Sequence, residues 1–143
     1  MIPALALLRL RPIDRAAVLE AILLLGVAAA AIRLLPFRNV VRLLAADRLG
    51  RGHDPAAEAR VAWAVRACSA RVPWRTVCFQ EGLAAHWMLR RRGVASTLHY
   101  GAARAASDGL AAHVWVSVAG RPVVGGDGGG YARLASFPPG AGG

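Results

Sequence analysis

The chain contains no lysine, and that absence changes how its charge is read. All 18 basic residues are arginines, set against 8 acidic residues, for a formal net charge of +10. Such a balance ordinarily points to an acidic partner. The arginines are scattered, however, with only Arg90, Arg91 and Arg92 in a run. Aromatic residues make up 6% of the chain, too few to interleave with arginine as stacking platforms for bases. No nucleic-acid partner is therefore expected. The excess of arginine, alanine and glycine fits a GC-rich coding bias better than a selected phosphate-binding surface.

Cysteine is equally scarce. Cys68 and Cys78 form neither a Cys-x-x-Cys pair nor a disulfide framework, which favours a reduced, cytoplasmic setting. No His-x-x-x-His or paired-cysteine cluster exists to hold a metal, so neither metal nor organic cofactor is expected. Met1 to Leu10 is apolar but lacks the early positive charge and small-residue cleavage site of an export signal. The longest uncharged apolar run, Ala21 to Ile32, is closed by Glu20 and Arg33 and falls short of the roughly 20 residues that cross a bilayer. A buried or interfacial helix is expected there, with residues 16–35 available to a membrane surface or a partner helix.

With 143 residues the chain has room for one compact domain. Its first part, 1–70, reads as helical. Asp14 is placed to cap a helix through Ala16 to about Leu35, which Pro36 ends. A second helix is expected over Arg38 to Leu49 with Gly50 after it, and a third from Pro55 to Ala70 with Asp54 as cap. A fourth starts near Thr76, runs through Cys78 to about Arg91 and stops at Gly93. The period then changes from helical to alternating. Ser96–Ala102, His113–Val118 and Arg121–Val124 read as strands of an antiparallel meander, the last two joined by Ala119-Gly120. Residues 128–143 read as a Gly/Pro-rich tail anchored by Tyr131, Leu134 and Phe137. The predicted fold class is α+β.

Cys78 falls in the first turn of the fourth helix, where unpaired backbone N–H groups and the positive end of the helix dipole stabilise an anion. Cys68, late in a helix on an apolar face, reads as core. A nucleophilic thiol needs a base within hydrogen-bond reach, and the base needs an orienting partner. Of the four histidines, His53 lies in a loop, and His86 sits eight residues along the same helix, about 12 Å away at 1.5 Å per residue. His99 lies inside a strand, where a structural role is the default. His113 begins the second strand beside a loop and is the best-placed base. If Ala119-Gly120 makes a two-residue hairpin, counting back pairs His113 with Gly126, and one bulge residue brings Asp127 opposite it. Asp127 is therefore the expected orienting group. The Cys78 N–H is one candidate oxyanion donor, with a backbone or indole N–H near Trp74 as the second. Trp115, two residues after His113, shares its face and either shields the pair or simply packs.

These residues carry a resemblance. The stretch Thr76-Val77-Cys78-Phe79-Gln80-Glu81-Gly82, then Leu89 to Val94, then His113-Val114-Trp115-Val116 and Gly120-Arg121-Pro122-Val123-Val124-Gly125 resembles the peptidase portion of the lasso-peptide B proteins. These belong to the transglutaminase-like, papain-related superfamily, and the likeness spans about Trp74 to Asp127. It implies a cysteine peptidase that removes the leader from a ribosomally made precursor peptide, with residues 74–127 as catalytic core. It also implies two partners, a separate leader-recognition protein and an ATP-dependent lasso cyclase. The first half lacks the strand-rich pattern of a fused recognition domain, which matches the split form of the family. The chain departs from the family in carrying Gln80 and Glu81 where Arg and Ser are common, and in a longer spacing from His113 to Asp127. The rival expectations are a catalytically inactive scaffold and a membrane-surface interaction protein.

Overall fold

The computed structural model describes residues 4–45, 52–74, 76–106 and 108–137. Five helices precede four strands: α1 Ala4–Leu8, α2 Pro12–Leu34, α3 Phe37–Ala45, α4 Pro55–Ser69, α5 Cys78–Arg91, β1 Ser96–Arg104, β2 Leu110–Val118, β3 Arg121–Val124 and β4 Ala132–Phe137. The architecture is α+β, as the change of period predicts. The expected end of the second helix at Leu49-Gly50 and the Pro138-Pro139-Gly140 segment lie outside the described residues.

Asp14 does not cap α2. Pro12 occupies the first helical position after Arg11, because a proline already fixed near helical φ needs no N–H there. Asp14 sits one turn in, where its carboxylate accepts from Arg11 and, across the helix interface, from Arg60 of α4, both at 3.0 Å. Glu20 likewise pairs with Arg91 and Arg92 at the end of α5. These cross-helix pairs set α2 in place beside α4 and α5. At the start of α4, Asp54 caps as its sequence predicts, accepting from the Ala57 N–H at 3.2 Å.

By length and composition α2 would suffice to cross a bilayer. Its two faces differ, however. Ala17, Val18, Ala21, Leu25 and Ala28 form a buried stripe at helical spacing and belong to the hydrophobic core. Leu19, Leu23, Val27 and Leu34 form an exposed one.

The four strands form one antiparallel sheet in the order β3-β2-β1-β4. β4 is an element that the tail reading missed. The glycines of that segment fall before and after β4, at 128–130 and again from 140, whereas Ala132–Phe137 contains none and pairs with β1, with Leu98 opposite Phe137 and His99 opposite Ser136. Leu98, Val114, Val116 and Val118 are buried in the core cluster on the face toward α5. The approach is close because Gly82 of α5 has no side chain: a Cβ there would meet Val114 Cγ1 at 2.5 Å. The opposite face carries His99, Trp115 and Ser117, covered by the segment from Gly125 to Tyr131.

Candidate active site

Cys78 is the first residue of α5, and its thiol is half-buried. The preceding residue, Val77, offers no capping side chain. The helical hydrogen bonds begin with Gln80 and Glu81, which both donate to the Val77 carbonyl at 2.9 and 3.2 Å. The first-turn N–H groups of Cys78 and Phe79 precede that ladder and point toward the thiol end of the helix. A serine or aspartate at position 77 would have occupied part of this donor array. Cys68 contrasts with it in every respect. It is fully buried, its thiol donates to the Val18 carbonyl at 3.6 Å, and burial pushes its pKa up to about 11.

His113 does not begin its strand as expected: Leu110, Ala111 and Ala112 already pair with β1, and His113 lies inside β2 opposite Gly101. Its Nε2 and the Gly125 carbonyl are 2.6 Å apart. A carbonyl oxygen can only accept, so Nε2 carries the proton and Nδ1 keeps the lone pair that can act as a base. The ring is held between Trp115, 6.0 Å away and stacked, and Tyr131, 4.9 Å away. His113 and Cys78 line the same pocket of about 280 Å³. The imidazole hydrogen bond is to Gly125, and no hydrogen bond joins the Cys78 Sγ to His113.

The β2–β3 hairpin explains why a backbone carbonyl stands where a carboxylate was expected. Ala119 and Gly120 form the two-residue turn with φ of 50° and 77°, and Val118 pairs with Arg121. The predicted bulge is present: Ser117 pairs with Pro122, whereas Val116 pairs with Val124, leaving Val123 as the extra residue. Continued one for one, that register would set Asp127 opposite His113. The ladder ends at Val124 instead, because Gly125 and Gly126 turn the chain with φ of 85° and 78°. The bend presents the Gly125 carbonyl to the ring. A Cβ at Gly125 would meet the Val114 carbonyl oxygen at 2.5 Å, so this path admits only glycine without rearrangement.

Asp127 makes no hydrogen bond to His113. Its Oδ1 accepts from the Gly129 N–H at 2.8 Å, an Asx-type turn that shapes the loop carrying Gly125. It lines a separate pocket of about 410 Å³ on the outer face of the sheet, with His99, Ser117 and Arg133. Trp74 is also elsewhere: its indole packs against α2, where a Cβ at Gly26 would meet it at 3.8 Å, and lines a third pocket with Gln80. The Trp74 side chain is therefore not beside the thiol. Trp115 is buried as a floor under His113, close against the backbone of Gly101 and Gly128, so packing is its evident role. His99 is a satisfied structural histidine, bonded to Ser136 at 2.8 Å and Ser117 at 2.7 Å. Burial, with a smaller contribution from Arg133, lowers its pKa and keeps the ring neutral.

Residues that the sequence reading did not single out complete the site. Gly125 supplies the orienting carbonyl, and Tyr131 flanks the imidazole. Phe37, Phe79 and Tyr100 form an aromatic wall with ring centroids 6.1 and 6.4 Å from Phe37. A tyrosine directly after a glycine run, and a phenylalanine directly after the Pro36 corner, were the available signals.

Comparison with known proteins gives one finding. Residues 21–137 match the family model described as the transglutaminase-like superfamily, which spans every element that carries the pocket. No curated protein and no solved structure matches the chain.

Proposed function

The chain belongs to the transglutaminase-like superfamily, and from that premise we propose that it is a cytoplasmic cysteine peptidase that removes the leader from a lasso-peptide precursor. The superfamily includes cysteine peptidases and transglutaminases, which share a cysteine nucleophile. The observation that carries the reading is the shared pocket: Cys78 at an uncapped helix start and His113, its proton fixed on Nε2, border one cavity.

In this reading the thiol gives its proton to His113 Nδ1 and the sulfur attacks the scissile carbonyl. The resulting oxyanion lies against the first N–H groups of α5. Collapse breaks the C–N bond, and the departing amine takes the proton from the imidazolium. Water, deprotonated by His113, then cleaves the thioester and restores the thiol. Closure of the thiol–imidazole contact accompanies substrate binding, since catalytic hydrogen bonds in empty sites are often long. Asp127 acts through the loop: it holds the turn that aims the Gly125 carbonyl. A separate leader-recognition protein delivers the precursor, and the freed amine passes to an ATP-dependent cyclase.

The test is leader removal from a lasso-type precursor peptide, sought as a short gene near this one, followed by mass spectrometry with the recognition protein present. Cys78→Ala should abolish cleavage and His113→Asn should lower its rate by roughly 10²–10⁴-fold. Asp127→Asn keeps the acceptor oxygen and should cost less than about tenfold, whereas Asp127→Ala should cost more. Normal maturation with Cys78→Ala would make the protein a scaffold. An Asp127→Asn loss equal to that of His113→Asn would place the carboxylate on the imidazole in the working enzyme.

The exposed stripe Leu19, Leu23, Val27 and Leu34 favours a second, compatible role for residues 16–35 as a contact surface for a membrane or partner helix. Deleting α2 cannot test it, because the opposite face of the helix is core. Replacing Leu19, Leu23 and Val27 by Gln and measuring liposome flotation can, with unchanged flotation counting against it.

A further inference from the structure

The pocket beside Cys78 is much larger than a thiol and an imidazole need. It measures about 280 Å³, and a cavity of about 150 Å³ lined by aliphatic and aromatic side chains already takes up a benzene ring. Its walls come from five separate parts of the chain: Ile32 from the end of α2 and Leu35 after it, Phe37 from α3, Phe79 from α5, Tyr100 from β1 and, beside His113, Ala112 from β2. None of these walls is charged. A charged side chain entering among these walls would lose its hydration with no side-chain hydrogen bonds from them to replace it, whereas an apolar one would exchange water for close contacts.

We infer that this pocket receives a large apolar side chain from the residue whose carbonyl Cys78 attacks, so that cleavage follows a residue such as Phe, Leu or Met. The inference rests on the cysteine-peptidase reading and adds its substrate preference. Two placements select the acyl side of the scissile bond. Val77 and Phe79, on either side of the nucleophile, both line the cavity, so it opens where the acyl group becomes attached to sulfur. The leaving amine must lie at the imidazole to take its proton, which assigns the His113 side to the other half of the substrate. Phe37, 58% exposed yet in contact distance of the Phe79 and Tyr100 rings, forms the outer lip that the entering side chain meets.

Amino-blocked dipeptidyl chloromethyl ketones test this directly, because the residue bearing the ketone occupies the acyl position when the thiol displaces chloride. Labelling of the full chain is followed by intact mass and peptide mapping, with Phe, Leu, Ala or Asp at that position and iodoacetamide as the reagent without a side chain. The Phe and Leu reagents should label Cys78 about 10- to 100-fold faster than the Ala reagent, the gain expected from burying such a side chain. The Asp reagent should be slowest. Phe37→Ala or Leu35→Ala, both at partly exposed wall positions, should reduce the Phe-to-Ala rate ratio several-fold. Equal rates for Phe and Ala, with Cys78 still alkylated by iodoacetamide well ahead of Cys68, would overturn the pocket inference and leave the nucleophile standing. If Cys78 resisted every reagent, the peptidase reading would fail and this inference with it.

Discussion

The two faces of the sheet follow opposite rules. Toward α5 it presents Leu98, Val114, Val116 and Val118, a dry aliphatic layer in which position is fixed by shape. Away from α5 it presents His99, His113, Trp115 and Ser117, where position is fixed by hydrogen bonds and ring stacking under a glycine-rich loop. The first face sets where the helix bearing Cys78 lies, and the second sets how the imidazole is turned. Stability rests on the dry side of this four-stranded layer, whereas the proposed chemistry takes its thiol from the α5 side and its imidazole from the other.

The sharpest way to break this division is to open the dry face. Leu98 is fully buried, and Leu98→Ala should cost about 2–5 kcal/mol in urea unfolding. A cost below about 1 kcal/mol would mean that the helix is not seated there. Next comes Gly82→Ala, which gains up to about 1 kcal/mol in helix propensity but forces a methyl group into Val114, at about 1–3 kcal/mol. A net loss of stability is expected, and combining it with Val114→Ala should cost less than the two changes separately. Strict additivity would argue against the close approach. The smallest effect belongs to the polar face and appears as pH dependence. Burial lowers the pKa of His99, so below its ordinary value of 6.5 the unfolded chain binds a proton that the folded chain does not. Its contribution is complete above pH 6.5 and declines as the pH falls toward the lowered value. His99→Gln should flatten that slope in thermal unfolding. Asp14, held below the ordinary carboxylate range by Arg60 and then Arg11, acts in a separate window below about pH 3.8 and should leave the His99 slope intact.

Local signals in the sequence were reliable where one or two residues decide the conformation. Asp54-Pro55 starts α4, Gly93 ends α5 with φ of 73°, and Ala119-Gly120 closes the hairpin. Cys78 at a helix start was readable for the same reason, whereas His113, expected at the start of its strand, lies inside β2, which begins at Leu110 because Leu110, Ala111 and Ala112 already pair with β1. Asp127 was not readable, because counting register assumes extended backbone and fails across two glycines with positive φ. β4 was hidden because its pairing partner is β1, more than 30 residues earlier, and nothing in Ala132–Phe137 alone shows that edge to be free. The apolar pocket was hidden for a similar reason: its walls come from five stretches that meet only in the folded chain. Trp74 was misplaced because closeness in sequence to Cys78 says nothing about which way an indole turns.

The Gly125 carbonyl that faces His113 has one further consequence. Every amino acid carries a carbonyl, so a substitution acts on this contact only by changing the path of the chain, as a side chain at Gly125 would. The vulnerable quantity is the number of residues between Val124 and Tyr131. A domain built this way can replace the Asp127 carboxylate by another side chain that accepts from the Gly129 N–H, while gaining or losing a single glycine there would take the carbonyl away from the imidazole.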